Sequence, residues 1–311
     1  MENFTLLNRF IRYLEIERNA SSRTMEAYKR DVSQFLQFCC FEWDIHAGHL
    51  DYTRIDRLTI RLWLASLLKS KPAKSTLSRK AASIRSFLKF AYKRGAIQHN
   101  PAQLLMIPKK DHRLPKSVRS EEISLMMESV ETESSAGKRD LAILELLYST
   151  GMRVAELVGL NTTDLDRSQK RVKVRGKGSR ERIIPFGSLA LLALNQYLSV
   201  RSSMLIDKSM ADDNKALFLT DAGRRIYPRM IQRMVSKYLG RVSEISQKSP
   251  HILRHSFATH LLDRGASIRV IKELLGHADL SATQIYTGTS VEHLRNVYQK
   301  AHPRSGAEES D

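Results

Sequence analysis

The sequence predicts a mainly α-helical protein, an N-terminal helical domain followed by a mostly helical second domain that carries a small antiparallel sheet. Three observations lead there. Apolar residues recur at three- and four-residue steps over most of the chain. One stretch alone, Arg171 to Phe186, has β-branched residues at Val172, Val174, Ile183 and Ile184 flanking Gly176-Lys-Gly-Ser179, the composition of a hairpin. The segment from Ile107 to Pro115 holds two prolines among mixed charges, which disfavours helix and suggests an extended link. With 311 residues, the chain exceeds the usual single-domain length of about 100–200. The expected division is 1–107, a linker over 108–117, 118–303, and a disordered tail over 304–311.

In the first domain the pattern predicts helices over Phe4 to Arg18, Ser22 to Cys40, Thr59 to Lys69 and Ser75 to Arg94. In the last, Leu77, Ala81, Ile84, Leu88 and Ala91 form one apolar stripe, Ser75 is the expected cap, and Gly95 suits the left-handed residue beyond the end. Arg79, Lys80, Lys89 and Lys93 fall mainly off the stripe. In the second domain Ser120-Glu-Glu122 opens a helix, Lys138 to Tyr148 makes a strongly apolar one, and Val154 to Leu160 begins another after Gly151. Beyond the hairpin, Asp207 to Lys215 is a polar loop. Helical patterning resumes over Arg229 to Val242, His255 to Gly265, Ile268 to Leu275 and Ser281 to Thr287. No internal repeat is evident.

The 51 Lys and Arg against 33 Asp and Glu give a net charge of +18, which attracts polyanions. Distribution is more telling than total. From Arg57 to Lys110 there is no acidic residue, while basic ones include Lys74, Arg79, Lys80, Arg85, Lys89 and Lys93. A solvated face normally mixes signs. Acid-free stretches suit phosphate, whose counterions are released when several charges are neutralised together. Those six are the expected DNA-binding residues. The two cysteines, Cys39 and Cys40, are adjacent, so neither a disulfide framework nor a zinc cluster is available. No basic leader with an apolar run opens the chain, and no run approaches the roughly 20 apolar residues of a membrane span. The expectation is a cytoplasmic protein with no membrane partner.

Four separated segments hold unusual polar residues: Thr150-Gly-Met-Arg153-Val-Ala-Glu156, Gly176-Lys177-Gly178, His251-Ile-Leu-Arg254-His255, and Leu275-Gly-His277 followed by Tyr286. Each alone reads as ordinary: a surface Arg, a core or capping His, a packed Tyr. His251 and His255 are four apart, as in a metal pair, but no Glu lies between them and Arg254 would repel a cation. Gly176-Lys-Gly-Ser lacks the spacing of a nucleotide-binding phosphate loop.

Taken together, in this order and with these neighbours, the segments resemble the tyrosine recombinase family over nearly the whole chain. The runs His251-Ile-Leu-Arg254-His255-Ser-Phe-Ala-Thr-His260 and Glu273-Leu-Leu-Gly-His277 to Tyr286-Thr287 are most similar to its bacterial Xer branch. The resemblance implies the tyrosine recombinase fold, an N-terminal core-binding domain and a C-terminal catalytic domain that close around duplex DNA. It implies four protomers on two recombination sites, with the C-terminal helix, roughly Val291 to Lys300, exchanged into a neighbour. The implied partners are a double-stranded DNA site and a second Xer recombinase in a heterotetramer, with a DNA translocase as a further candidate. No cofactor, metal or ATP is implied.

The chemistry fits the set. Resealing a phosphodiester without ATP needs a nucleophile that conserves the bond energy, and a tyrosyl phosphate ester does so; Tyr286 is the candidate. A phenol with a pKa near 10 needs a base at neutral pH, for which His251 is the choice. Arg153 and Arg254 supply fixed guanidinium donors to the transition-state oxygens, and His277 adds another. The resemblance assigns Lys177, at the hairpin tip, as general acid for the departing 5′ oxygen. Glu156, on the face of Arg153, orients the pocket. One departure stands out: Gly288 occupies the position two after the tyrosine where Xer relatives commonly carry His, which is expected to loosen the end of the tyrosine helix. That helix, bounded by Gly276 and Gly288, is expected to be mobile without DNA. Two other readings stay open, an architectural DNA-binding protein with this fold and a strand relaxer like type IB topoisomerases.

Overall fold

A computed structural model describes residues 4–18, 20–103, 105, 117–176, 181–205, 211–245, 248–276 and 288–305. The chain divides into two compact units, Met1–Arg113 and Leu114–Asp311, each with its own apolar core. Residues 108–116 of the expected linker lie outside the described residues.

The first unit contains α1 (Thr5–Ile16), α2 (Ser22–Glu42), α3 (Arg57–Leu68) and α4 (Lys74–Lys93), with two short 3₁₀ turns at Ala47–His49 and Tyr52–Arg54. The starts of α2 and α3 are fixed by side chains, Ser21 accepting from the Thr24 N–H and Asp56 from the Thr59 N–H. α1 buries Leu6, Leu7, Phe10 and Leu14, each worth about 1.5–3 kcal/mol when removed from water. Phe10 meets Phe87 and Phe90 of α4 at ring-centroid distances of 5.5 Å. The apolar stripe of α4 is as expected from Ala81 through Ala91, widened by Phe87 and Phe90, and Gly95 follows in the left-handed conformation. Ser75 is not its cap: the helix begins one residue earlier, where the Ala73 carbonyl accepts from Thr76 and Leu77.

The second unit runs α5 (Ser120–Glu128), α6 (Ser135–Thr150), α7 (Val154–Val158), β1 (Leu165–Asp166), β2 (Arg171–Arg175), β3 (Glu181–Pro185), α8 (Ser188–Arg201), α9 (Ala211–Lys215), α10 (Pro228–Val242), α11 (Pro250–Asp263), α12 (Ile268–Leu275) and α13 (Gly288–Ala301). α6 is its central beam, buried from Ala142 to Thr150 and packed against α8 and α11. The sheet has the antiparallel order β1-β2-β3, with Val172 opposite Ile184 and Val174 opposite Arg182. α11 begins at Pro250, five residues before the expected start, because proline suits a first helical turn whose N–H groups lack partners.

The end of the chain makes its contacts within this unit. Arg304 and Ser305 are not loose: Arg304 pairs with the buried Glu145, and the Ser305 carbonyl accepts from the Ser188 N–H. Within this single chain the last helix packs on its own unit, against α11, α12 and β3. In a single chain its apolar residues Leu294, Tyr298 and Ala301 bury here or face water. Tyr298 stacks on His302 at 4.7 Å, and the Ser149 hydroxyl bonds both the Tyr298 hydroxyl, at 2.5 Å, and the Gly187 N–H.

Candidate active site

The site is assembled where four backbone segments end. α6 terminates at Gly151, in the left-handed conformation with φ +58°. A Cβ there would collide with the ring of Phe257 and stand 2.9 Å from Leu275, so glycine is required both for the turn and for the close approach of α11 and α12. Two residues on, Arg153 precedes α7, and the Glu156 carboxylate accepts from the Arg153 N–H at 2.8 Å, fixing the start of that helix.

Glu156 is the hub. Its side chain is 4 % exposed and receives the Arg153 Nη1 at 3.1 Å and a parallel pair from Arg182, Nη1 at 2.9 Å and Nη2 at 3.0 Å. Burial disfavours the charged carboxylate, but the hydrogen bonds from Arg182 and from the Arg153 N–H outweigh it, so the carboxyl titrates below the usual range. The third direction of the Arg182 guanidinium, Nε, donates to the Leu274 carbonyl at 3.0 Å.

Arg254 lies on α11, three residues after His251, so both look out from one helical face. Its Nη1 donates to the Gly151 carbonyl at 2.7 Å and its Nη2 to the Leu275 carbonyl at 2.8 Å. Arg153 Nη1 reaches the same Leu275 carbonyl at 3.4 Å. Two guanidiniums therefore converge on the C-terminus of α12, the negative end of its dipole. Desolvation, reinforced by the charge of Arg153, pulls the Arg254 guanidinium down to about 10. Three arginines against one carboxylate leave an electropositive cluster, suited to an anionic oxygen. Gly276 closes α12 with φ +65°, and a Cβ there would stand 3.0 Å from the Arg182 guanidinium.

Of the six residues expected to carry the chemistry, the structure brings together Arg153 and Arg254, with His251 exposed on the first turn of α11. Lys177, His277 and Tyr286 lie outside the described residues, as does the expected tyrosine helix. Gly288 opens α13. Arg182 was not anticipated. The signal for it lies in the strand alternation: Arg182 shares a face with Ile184 and stands opposite Val174, and a charge on the buried face of a strand needs a partner.

The expected DNA-binding set divides in two. Lys74, Lys89 and Lys93 are exposed on α4. Arg79 instead pairs with the buried Asp31, and the Lys80 side chain, 12 % exposed, lies 3.6 Å from the same carboxylate and 5.7 Å from the Trp63 ring centre. Arg85 donates to the Leu105 carbonyl. Lys80 is thus drawn inward by a buried carboxylate on α2.

Comparison with known proteins places the chain. The phage integrase family model matches residues 116–293, and the phage integrase N-terminal SAM-like domain matches residues 7–95. The tyrosine recombinase XerC of Thermodesulfovibrio yellowstonii is 39 % identical over 303 residues, covering 97 % of this chain and 98 % of the relative. That of Pelobacter propionicus is 41 % identical over 299 residues, covering 96 % and 95 %. Among solved structures, the Tn1549 transposon integrase in complex with transposon right end DNA superposes with a TM-score of 0.67 at 19 % identity, covering 93 % of this chain and 98 % of that one. The XerH recombinase bound to its difH substrate gives 0.63 at 18 %, covering 94 % and 82 %; both show the shared fold.

Proposed function

We propose that this chain, which belongs to the phage integrase family, is an Xer-type site-specific recombinase that cuts and rejoins DNA through a phosphotyrosyl intermediate at Tyr286. The observation that carries the site assignment is the convergence of Arg153 and Arg254 on the Leu275 carbonyl at the end of α12, two residues before His277 in sequence. The Tyr286 oxygen attacks the scissile phosphorus and gives its proton to His251. The tyrosyl–phosphorus bond forms on the 3′ side as the bond to the 5′ oxygen breaks, and Lys177 protonates that oxygen. Arg153, Arg254 and His277 hold the non-bridging oxygens as charge builds on them. Rejoining runs the same steps backwards with another strand's 5′ hydroxyl, so ATP is not required.

The partner in this reading is a XerD-like recombinase, joined with this chain in a heterotetramer on two duplex sites in the cytoplasm. A DNA translocase that switches strand exchange on during resolution of chromosome dimers completes it. The test is to incubate the protein with nicked, site-containing duplex without divalent metal, beside Tyr286→Phe, and resolve products on a denaturing gel. A protein–DNA adduct that requires Tyr286 is expected. Binding without any adduct, even with the XerD-like partner present, would favour an architectural role. Relaxation of supercoiled plasmid lacking a site would favour the topoisomerase-like reading.

A further inference from the structure

We propose that Arg182 is a positioning residue: by neutralising Glu156 it keeps the Arg153 charge free for the scissile phosphate. The inference rests on the active-site reading above and adds to it a residue that touches neither DNA nor the reacting atoms.

The two arginines on Glu156 are not equivalent. Arg182 is 7 % exposed and directs all three of its nitrogens at protein acceptors, both Glu156 oxygens and the Leu274 carbonyl. A planar fork matched to a carboxylate is the strongest arrangement available to the pair. Arg153 meets the same carboxylate through one nitrogen at 3.1 Å, and its side chain is 43 % exposed. Glu156 is thus answered mainly by the buried arginine, while the outer one is oriented by it without being consumed. Without Arg182 the buried carboxylate has Arg153 as its remaining close cation. In a poorly solvated setting the two would close into a tight pair, and the charge presented to a phosphate at this position would fall.

Arg182 also binds three parts of the site at once. It lies on β3, grips the carboxylate of α7, and donates to the last turn of α12, where Gly276 leaves room for its guanidinium. Lysine at this position keeps the charge but cannot form the fork or reach the third acceptor simultaneously.

The test compares wild type, Arg182→Met, Arg182→Lys and Glu156→Gln/Arg182→Met on two nicked duplexes. One carries an ordinary scissile phosphodiester. The other carries a methylphosphonate there, in which a methyl group replaces one charged oxygen. Adduct formation by Arg182→Met is expected to be about 10–100-fold slower than wild type on the phosphodiester, the scale of a misplaced catalytic group. On the neutral methylphosphonate, where less charge must be answered, the gap should shrink to about threefold or less. Arg182→Lys should fall between, and the double variant should recover about tenfold over Arg182→Met on the phosphodiester, because the competing carboxylate is gone. Thermal melts check that each variant is folded, and Arg182→Lys carries the comparison if Arg182→Met is not.

Equal slowing on both substrates, by whichever variant folds, would make Arg182 a merely structural residue and overturn the inference. So would Arg182→Met forming adduct at the wild-type rate. Failure of wild type to form an adduct on either duplex would instead remove the underlying active-site reading, and the inference with it.

Discussion

Acidification should loosen the end of the chain through His302. The imidazole is 1 % exposed, and both its nitrogens are committed: Nε2 lies 3.3 Å from the Tyr148 carbonyl, and Nδ1 accepts from the Arg304 N–H at 3.1 Å. This set demands the neutral ring protonated on Nε2, since a proton on Nδ1 would face an N–H donor. Burial drives its pKa down to about 3, and the neighbouring His260, Arg304 and Arg264 push the same way. In the released segment the ring recovers a pKa of about 6.5. The released form therefore binds more protons between those values, so the docked form is fully favoured above pH 6.5 and loses ground as pH falls towards 3. At pH 5 the loss is about 1.5 pK units, or about 2 kcal/mol, a thirtyfold rise in the opening equilibrium. Amide exchange of Leu294 to Tyr298, followed from pH 7.5 to pH 5 and corrected for intrinsic rates, reads this directly. Glu145, whose pKa burial raises, works in the opposite sense, so the quantity to compare is wild type against His302→Phe. The variant should lack the thirtyfold term. Identical pH dependence in the two proteins would refute the assignment of the proton to His302.

Four further outcomes follow from positions already described. Replacing Arg304 with Met leaves the Glu145 carboxylate, 3 % exposed, without its partner; urea melts should register a loss of about 3–5 kcal/mol, largely regained in Glu145→Leu/Arg304→Met. Gly151→Ala forces a left-handed backbone and a collision with Phe257, costing about 2–4 kcal/mol in the same assay from strain and overpacking together, with adduct formation falling because the Gly151 carbonyl holds Arg254. Changing Lys74, Lys89 and Lys93 together to Gln should reduce the salt dependence of DNA binding by about 2.7 in log–log slope if each meets one phosphate. Lys80→Gln should leave that slope unchanged and lower the melting temperature of the first unit.

Much of this architecture can be read from residue order because helices with a single apolar stripe advertise themselves. α12 matches its expected limits at both ends, Ser267 capping it and Gly276 closing it. α8 offers no such sign: Leu189 and Leu192 face water while Ala190, Ala193 and Leu194 are buried, and its N-cap is Gly187, which supplies no side-chain acceptor. β1, two residues long, is a product of tertiary pairing with β2 alone. Arg153 and Arg254 stood out by their sequence neighbours, whereas Arg182 beside them and Asp31 in the first unit did not. The partners that give those two their meaning lie 26 and 48 residues away, distances over which no local pattern carries. The same limit hid the docking of Arg304, whose partner sits 159 residues earlier.

Under the proposed reading, the shared Leu275 carbonyl holds the place of a phosphate oxygen between Arg153 and Arg254. A helix C-terminus offers about half an elementary charge, enough to keep Arg153 and Arg254 turned towards one point but less than a phosphodiester brings. In that reading, phosphate binding exchanges one acceptor for a stronger one. The reorganisation that would otherwise be added to the barrier is completed during folding. Under the proposed reading the same placeholder disfavours weak anions, which must displace an acceptor already in place, and so biases the pair towards a phosphate delivered by a tightly held duplex.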